Sequence, residues 1–366
     1  MSLSVGIVGL PNVGKSTLFN ALTKNEVLMA NYPFATIDPS VGVVTVPDKR
    51  LDTLSKISGS EEIIPAIVEF VDIAGLVKGA SAGEGLGNKF LANIRETDMI
   101  AEVVRIFEDS EIHHVSGGID PMGDIETINL ELIMADAETV AKRLNNLERD
   151  VKRGDKTAVA EKAVLDKMLP HLEAGHLANS LGLTEEELKF VKGLHLLTMK
   201  PFLYVCNKKQ DAFNLDEHND ERWDELLRFF EETGSEYVVV DAGMEHELKD
   251  LGEDEKTEFR REYGAQDSGI ESLIRASYHR LGLMSYFTTG EKETRAWTVP
   301  IGSTGPEAGA AIHTDFKDKY IRAQVVAFND LVSAGSKALA REQGKLRTEG
   351  KEYIVQDGDV IEFMHS

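Results

Sequence analysis

The sequence predicts an α/β fold: a mostly parallel sheet covered by helices, with a helical hairpin inserted into it and a small α+β module at its C-terminal end. Three observations carry this. Short β-branched runs alternate with helical segments over the first two thirds of the 366 residues. A heptad-spaced apolar seam interrupts the alternation between Ile133 and Val151. After Gly290 the pattern changes to short strands separated by Gly-rich turns.

Val5-Gly6-Ile7-Val8 reads as a short buried strand, followed by a Gly-rich turn and a helix from Lys15 to Thr23. Val41 to Val46, Ala66 to Val71 and Met99 to Phe107 are the next strands. Phe202 to Cys206 and Tyr237 to Val240 continue the sheet, and strands alternating with helices imply a largely parallel arrangement. The gap from Phe107 to Phe202 is too long for one crossover. Within it Ile133, Ala137, Val140, Leu144, Leu147 and Val151 step by four, three, four, three and four, the seam of a long helix. Arg153-Gly154-Asp155 supplies a turn, and Leu165, Met168 and Leu172 resume helical spacing. The pattern is an antiparallel hairpin whose tip carries Arg149, Lys152, Arg153, Lys156 and Lys162, either a solvated end or a docking surface. Glu271 to Leu283 is a helix. Beyond it come strands at Arg295 to Val299, Tyr320 to Val326, Glu352 to Val355 and Val360 to Phe363, with a helical stretch from Phe328 to Glu342. The expected domains are 1–280, interrupted by the hairpin at 125–199, and 281–366.

The length suffices for roughly two to three domains and a substantial core. No apolar run approaches the ~18–20 residues of a membrane span, and the N-terminus has neither a basic region nor a cleavable apolar segment. A cytoplasmic protein with no membrane partner is expected. The single cysteine, Cys206, excludes an intrachain disulfide and a cysteine zinc cluster. It is either a small buried residue or a redox sensor. The formal charge is -23, which argues against a simple nucleic-acid binder. The charge is uneven: Asp211 to Arg280 holds 21 acidic and 8 basic residues, whereas Gly282 to Ser366 holds 12 and 10. A local basic face elsewhere is compatible with the total, for example Arg341, Lys345, Arg347 and Lys351 in the tail.

Gly9 to Thr17 reads GLPNVGKST, which matches G-x-x-x-x-G-K-[ST] between a strand and a helix. Glycines let successive backbone N–H groups turn inward around phosphates, and the helix adds its positive end. Asn12, Val13, Gly14, Lys15, Ser16 and Thr17 are thus the expected phosphate-binding residues of a P-loop nucleoside triphosphatase. Lys15 neutralises the β and γ oxygens, and Ser16 offers its hydroxyl to Mg²⁺. Asp72 ends an apolar strand and precedes Ile73-Ala74-Gly75, the position of an acid that holds Mg²⁺ through water. Thr36, in a loop before a strand, is the expected second hydroxyl on the metal, engaged when that loop closes over a triphosphate.

Two positions depart from the small-GTPase pattern. The residue after Asp-x-x-Gly is Leu76, where a glutamine would position the attacking water. The base-reading loop is Asn207-Lys208-Lys209-Gln210, with a neutral residue in place of the aspartate that pairs with guanine; a carboxamide suits adenine equally well. Asp211 follows one residue late, and Asp241-Ala242-Gly243 resembles the loop that backs the base. His114, after the Met99 to Phe107 strand, is chemically suited to act as base or water-positioner; the alternatives are a hydrogen-bonded loop histidine and its neighbour His113. Asn12 inside the loop suggests a potassium ion between phosphates, partly replacing an arginine finger.

With these residues in place, the chain resembles the Obg-like ATPases, the YchF type of TRAFAC-class P-loop GTPases with a C-terminal TGS domain. The resemblance spans nearly the whole length. It rests on GLPNVGKSTLFNALT from Gly9, NYPFATIDP from Asn31, EFVDIAGLVKGASAGEGLGNKFL from Glu69, HVSG from His114 and DIETINLELIMAD from Asp124. In the tail it rests on SYFTTGEKETRAWTV, IHTDFKDKYIRA and EGKEYIVQDGDVIEF, which belong to the β-grasp-like TGS module. It implies a slow ATPase that also accepts GTP, uses Mg²⁺, and associates with the ribosome, especially its large subunit. It places the catalytic histidine on His114 and base contacts on Asn207, Lys208 and Gln210, the last departing from the family's usual glutamate. A monomer is expected. The competing expectations are a GTPase of ribosome assembly, and a regulatory binding protein in which nucleotide is mainly a structural ligand.

Overall fold

The computed structural model describes residues 3–23, 40–73, 86–109, 118–262 and 268–365. The chain divides into two compact units. One comprises 3–42 and 69–273; the other comprises 43–68 and 274–366. The chain therefore passes through the second unit early, and residues 43–68, placed with the nucleotide domain on sequence, group with the tail.

In chain order the elements up to the hairpin are β1 (Ser4–Val8), α1 (Lys15–Thr23), β2 (Val41–Thr45), α2 (Arg50–Ser58), β3 (Glu62–Ile64), β4 (Ile67–Asp72), α3 (Leu86–Glu96), β5 (Met99–Arg105) and β6 (Phe107–Glu108). The hairpin is α4 (Pro121–Lys152) and α5 (Lys156–Glu173), followed by α6 (Glu185–Val191). Then come β7 (Phe202–Lys208), β8 (Phe213–Asn214), α7 (Glu221–Thr233), β9 (Glu236–Asp241), α8 (Ala242–Leu248), α9 (Glu253–Glu262) and α10 (Gly269–Arg280). The tail holds β10 (Leu283–Thr289), β11 (Glu293–Pro300), α11 (Gly305–Ile312), α12 (Thr314–Asp318), β12 (Tyr320–Ala327), α13 (Phe328–Ala334), α14 (Lys337–Glu342), β13 (Arg347–Glu349) and β14 (Asp359–His365).

The first sheet runs β2-β4-β1-β5-β7-β9. Pairs β1/β4, β1/β5, β5/β7 and β7/β9 are parallel. Strand β1 is buried at every residue and β5 likewise, which is why both read as uninterrupted apolar runs. Chain order reverses direction at β1, which lies between β4 and β5. In open α/β sheets the crevice outside the carboxyl ends of the strands at such a point receives the ligand.

The heptad seam builds the hairpin as expected. Ile133, Val140 and Leu147 are buried, while Ala137, Leu144 and Val151 pack partly buried against Leu165, Met168 and Leu172 of α5. The tip cations are largely balanced locally: Lys152 pairs with Glu148 at 3.2 Å, Arg153 with Asp150 at 3.6 Å and Lys162 with Asp166 at 2.6 Å. Such exposed pairs add little stability, but they dilute the tip's positive field. The hairpin root is fixed by Asp136, fully buried on α4. Its carboxylate accepts the N–H groups of Leu197 and Thr198 at 2.7 and 2.8 Å and the Thr198 hydroxyl at 2.7 Å.

The second sheet runs β13-β12-β14-β10-β11-β3. Three tail expectations are corrected here. Leu283 begins strand β10 instead of ending a helix, because β10 pairs with β11 along its whole length. Glu352 to Val355 is no strand; it contributes one isolated bridge, Ile354 to Thr304. Phe328 to Glu342 is two helices, since Gly335 takes φ 79° and Ser336 caps α14. Residues 43–68 complete this unit: β3 pairs with β11, and Arg50 holds Asp48 and Asp357 at 2.7 and 2.6 Å.

Replacing Asp136 by alanine strands three buried donors at once. The variant is expected to lose about 3 kcal/mol of stability, with faster amide exchange at Leu197 and Thr198. Unchanged urea midpoint and exchange rates would contradict this role for the carboxylate.

Candidate nucleotide site

The site gathers at the carboxyl ends of β1, β4, β7 and β9. From β1 the chain enters the turn at Gly9. A Cβ there would meet the Val103 carbonyl oxygen and Val13 Cγ2, each at 2.9 Å, so only glycine lets the turn lie against β5. Asn12 is exposed and left-handed at φ 66°. Val13 is fully buried and anchors the turn in the core. Gly14, at φ 94°, starts the helix, with the Leu18 N–H donating to its carbonyl at 2.9 Å. Leu18 and Leu22 are fully buried and seat α1 on the sheet.

Lys15 is buried, and its ammonium donates to Asp72 Oδ1 at the end of β4. Ser16 is exposed and Thr17 half-buried, at the start of the same helix. The Asp72 N–H is held by the Ser40 carbonyl at 2.8 Å. The structure thus brings the lysine of the loop and the acid of β4 into direct contact, with a hydroxyl one residue away. Thr36, Gly75, Leu76, His113 and His114 lie outside the described residues.

Strand β7 delivers Asn207 to the centre of the site. The side chain is buried, and both ends of its amide are used. Nδ2 donates to the Val13 carbonyl at 2.8 Å, and Oδ1 accepts the Ala242 N–H at 3.0 Å. A Cβ on Gly14 would lie 2.1 Å from Nδ2. The second loop glycine is therefore required by its backbone angle and by the approach of this amide.

The rest of the base loop is tied down by its neighbours. Lys208 reaches Glu217 at 2.7 Å and Asp216 at 3.6 Å. Burial lowers its pKa, yet the hydrogen bond it donates to Glu217 and the charge of Asp216 overcome this and leave it raised. The Lys209 N–H donates to Asn214 Oδ1 at 3.0 Å, and its ammonium meets Asp109. Gln210 is half-buried, and its amide reaches Asp211 Oδ2 at 3.5 Å. Asp211 is exposed and left-handed at φ 59°. Asp241, absent from the expected site residues, is buried at the end of β9 and accepts the Met244 N–H at 2.8 Å. Burial raises its carboxyl, opposed by the N–H groups of Met244, Gln210 and Gly243 and by Lys208. The signal that could have found it is an acid closing an apolar strand, the pattern that marks Asp72. Cys206, one residue before Asn207, is fully buried, and burial pushes its thiol up; the structure favours the buried-residue reading over a redox sensor.

Beneath the loop the core is polar. Glu102 pairs with Val8 and Tyr204 in the strand register and is fully buried, with neither carboxylate oxygen hydrogen-bonded among the described residues. Burial pushes its carboxyl well above the usual range, and the charge of Asp124 adds to the shift. Arg105, three residues on, is also buried; it donates to the Phe107 carbonyl at 3.0 Å and the Asp109 carbonyl at 3.2 Å.

A carboxyl whose pKa is higher in the folded than in the unfolded chain binds its proton more tightly when folded. Stability then falls as pH rises from the unfolded value, near 4.5, toward the folded one. Glu102→Gln removes that loss. The variant is expected to gain stability over the wild type progressively from pH 5 to 8 by roughly 1 kcal/mol or more, read as melting temperature against pH. A difference that stays constant across that range would refute it.

Comparison with known proteins places this geometry. A family model described as 50S ribosome-binding GTPase matches residues 4–146, and the YchF-GTPase C-terminal family model, described as a protein of unknown function, matches 283–366. The chain is 52% identical to the ribosome-binding ATPase YchF of Bacillus subtilis and 50% identical to that of Pasteurella multocida, each over 99% of both chains. The solved structure of the Schizosaccharomyces pombe YchF GTPase is 37% identical, covers 99% of this chain and 98% of its own, and superposes with a TM-score of 0.89. With a P-loop cradle, a base loop braced by Asn207, and full-length relatives at this identity, the chain belongs to the YchF family.

Proposed function

We propose that this protein is a nucleotide-switched factor that binds ATP with Mg²⁺, hydrolyses it slowly, and acts on the ribosome through the large subunit. The observation that carries the reading is the meeting of Lys15 and Asp72 in a loop braced by Asn207. It supports a phosphate-neutralising role for Lys15 and a metal-binding role for Asp72. The ribosomal partner rests on the full-length relatives, which are ribosome-binding ATPases. Among the described residues no helix is long and apolar enough to cross a membrane. A cytoplasmic monomer is the reading adopted here.

The Ser16 hydroxyl, the Thr36 hydroxyl and the Asp72 carboxylate are oxygen donors of the kind a hard divalent cation takes, and they fit Mg²⁺. When bound, the ion supplies charge neutralisation on the β and γ oxygens. The chain does the remaining work. Backbone N–H groups from Asn12 to Thr17 bind phosphate oxygens, and Lys15 exchanges the Asp72 carboxylate for them. Asn207 holds the base loop, with Lys208 and Gln210 beside the base. Leu76 cannot orient a water, so turnover is slow and His114 takes the role of base or water-positioner. The Asn12 side-chain oxygen would hold a potassium ion, which would supply a second positive charge to the phosphates.

Three measurements test the reading. In a direct binding competition ATP is expected to displace a fluorescent ATP analogue more effectively than GTP, and the ATP-bound form to sediment with large ribosomal subunits; failure of either removes that half of the proposal. In a turnover series the wild type is expected to run faster in potassium than in sodium, and His114→Ala to lose roughly 100-fold in kcat. Equal rates in the two salts would remove potassium, and an unimpaired His114→Ala would remove the histidine.

A further inference from the structure

The loop after β9 bears on which base the site accepts. Asp241 stands opposite Lys208 in the β7/β9 register. Its carboxylate is buried and held by backbone N–H groups: Met244 at 2.8 Å, with those of Gln210 and Gly243 facing it. Lys208, the cation across the register, is itself engaged by Glu217 at 2.7 Å and Asp216 at 3.6 Å. Among the described residues Asp241 forms no salt bridge. Burial raises its carboxyl, while these N–H groups and the charge of Lys208 favour the ionised form; as a carboxylate it puts negative charge at the end of β9, across the register from the base loop.

Two donors of that region are already committed. The Ala242 N–H goes to Asn207 Oδ1 at 3.0 Å. The Gln210 N–H faces Asp241. The Gln210 side chain is neutral and its amide is turned toward Asp211. Guanine presents an oxo group at its 6-position, which requires a donor and is repelled by negative charge. Adenine presents an amino group there, a donor that negative charge attracts. The loop withholds donors from one base and supplies an attractive field to the other.

We propose that Asp241 is a specificity-determining residue, whose carboxylate behind the 207–210 loop selects a 6-amino purine nucleotide over a 6-oxo one. The proposal rests on the reading above that these two loops seat the base of ATP. Asp241 acts through its charge and through the Gln210 backbone, so it is a positioning residue and not a catalytic one. Removing the charge while keeping the shape leaves the loop anchored but reduces the discrimination.

The test uses the full-length protein and the displacement of a fluorescent ATP analogue by ATP and by GTP. Its readout is the ratio of the GTP to the ATP dissociation constant. Asp241→Asn keeps an oxygen for the Met244 N–H and loses the charge; Asp241→Ala loses both. A high wild-type ratio is expected, falling roughly tenfold or more in Asp241→Asn, with a melting temperature close to wild type. If Asp241→Ala unfolds, Asp241→Asn decides. A high wild-type ratio that persists in Asp241→Asn overturns the proposal alone, even if both affinities fall together. A wild-type ratio near one overturns the ATP reading and this proposal with it.

Discussion

The site depends on one buried amide. Asn207 joins the phosphate turn, the end of β7 and the start of α8 through two hydrogen bonds, from Nδ2 to the Val13 carbonyl and from the Ala242 N–H to Oδ1. The task needs a side chain that donates at one end and accepts at the other. A carboxylate in its place would face the Val13 carbonyl with a second acceptor. An apolar residue would leave a carbonyl and an N–H buried and unpaired, at about 1–3 kcal/mol each. Gly14 follows from the same constraint, because the amide occupies the space a Cβ would take. The phosphate turn and the base loop, nearly 200 residues apart in sequence, are therefore held in register by a single residue delivered by a fully paired strand.

Charge in this unit is organised around that brace. Lys15 and Asp72 neutralise each other at the phosphate end. At the base end Lys208 and Lys209 are each met by acids, Glu217 with Asp216 and Asp109. Below the turn, Glu102 has no hydrogen-bond partner among the described residues, and its burial favours the neutral acid. Arg105 remains a buried cation close to Asp109 and Asp124, whose charges partly offset the cost of its burial. Under the proposed function, a site with its own charges already paired exchanges partners when a triphosphate binds, which limits the net electrostatic gain.

Legibility followed locality. The phosphate turn was readable because its demands lie within nine consecutive residues, and the hairpin because a heptad repeats regardless of what surrounds it. The parallel sheet was readable from the apolar runs of β1, β5 and β7. Strand β10 was not: its residues face partners on β11 and β14, and a segment beginning at Leu283 looks like the end of the preceding helix until those partners are known. The same reason hid β3, whose three residues pair with β11 across more than 200 positions, and with it the membership of 43–68 in the tail unit. Glu352 to Val355 had strand composition but only one bridging partner. In the site, Asn207 was legible as a base-loop residue, whereas its grip on Val13 and Ala242 is a tertiary fact. Asp241 was quoted as part of a loop; its place as an acid closing an apolar strand was legible, whereas the approach of the Gln210 N–H to its carboxylate is a tertiary fact.

On the proposed assignment, Gln210 and Asp241 together account for a guanine-reading scaffold changing its preference with few substitutions. In the guanine pattern the acid stands at the fourth position of the base loop and takes two donors from the base. Here that position is neutral and the acid stands one strand away, behind the loop, with backbone N–H groups on its oxygens. The carboxylate is not offered as a direct partner. It is held by the N–H groups of Met244, Gln210 and Gly243, and in the proposed role it occupies a donor that an oxo group would use and sets the sign of the field. Discrimination of this kind comes as much from interactions denied to the competitor as from those made with the ligand. It also tolerates a carboxamide at 210, since the reading no longer depends on that side chain's charge.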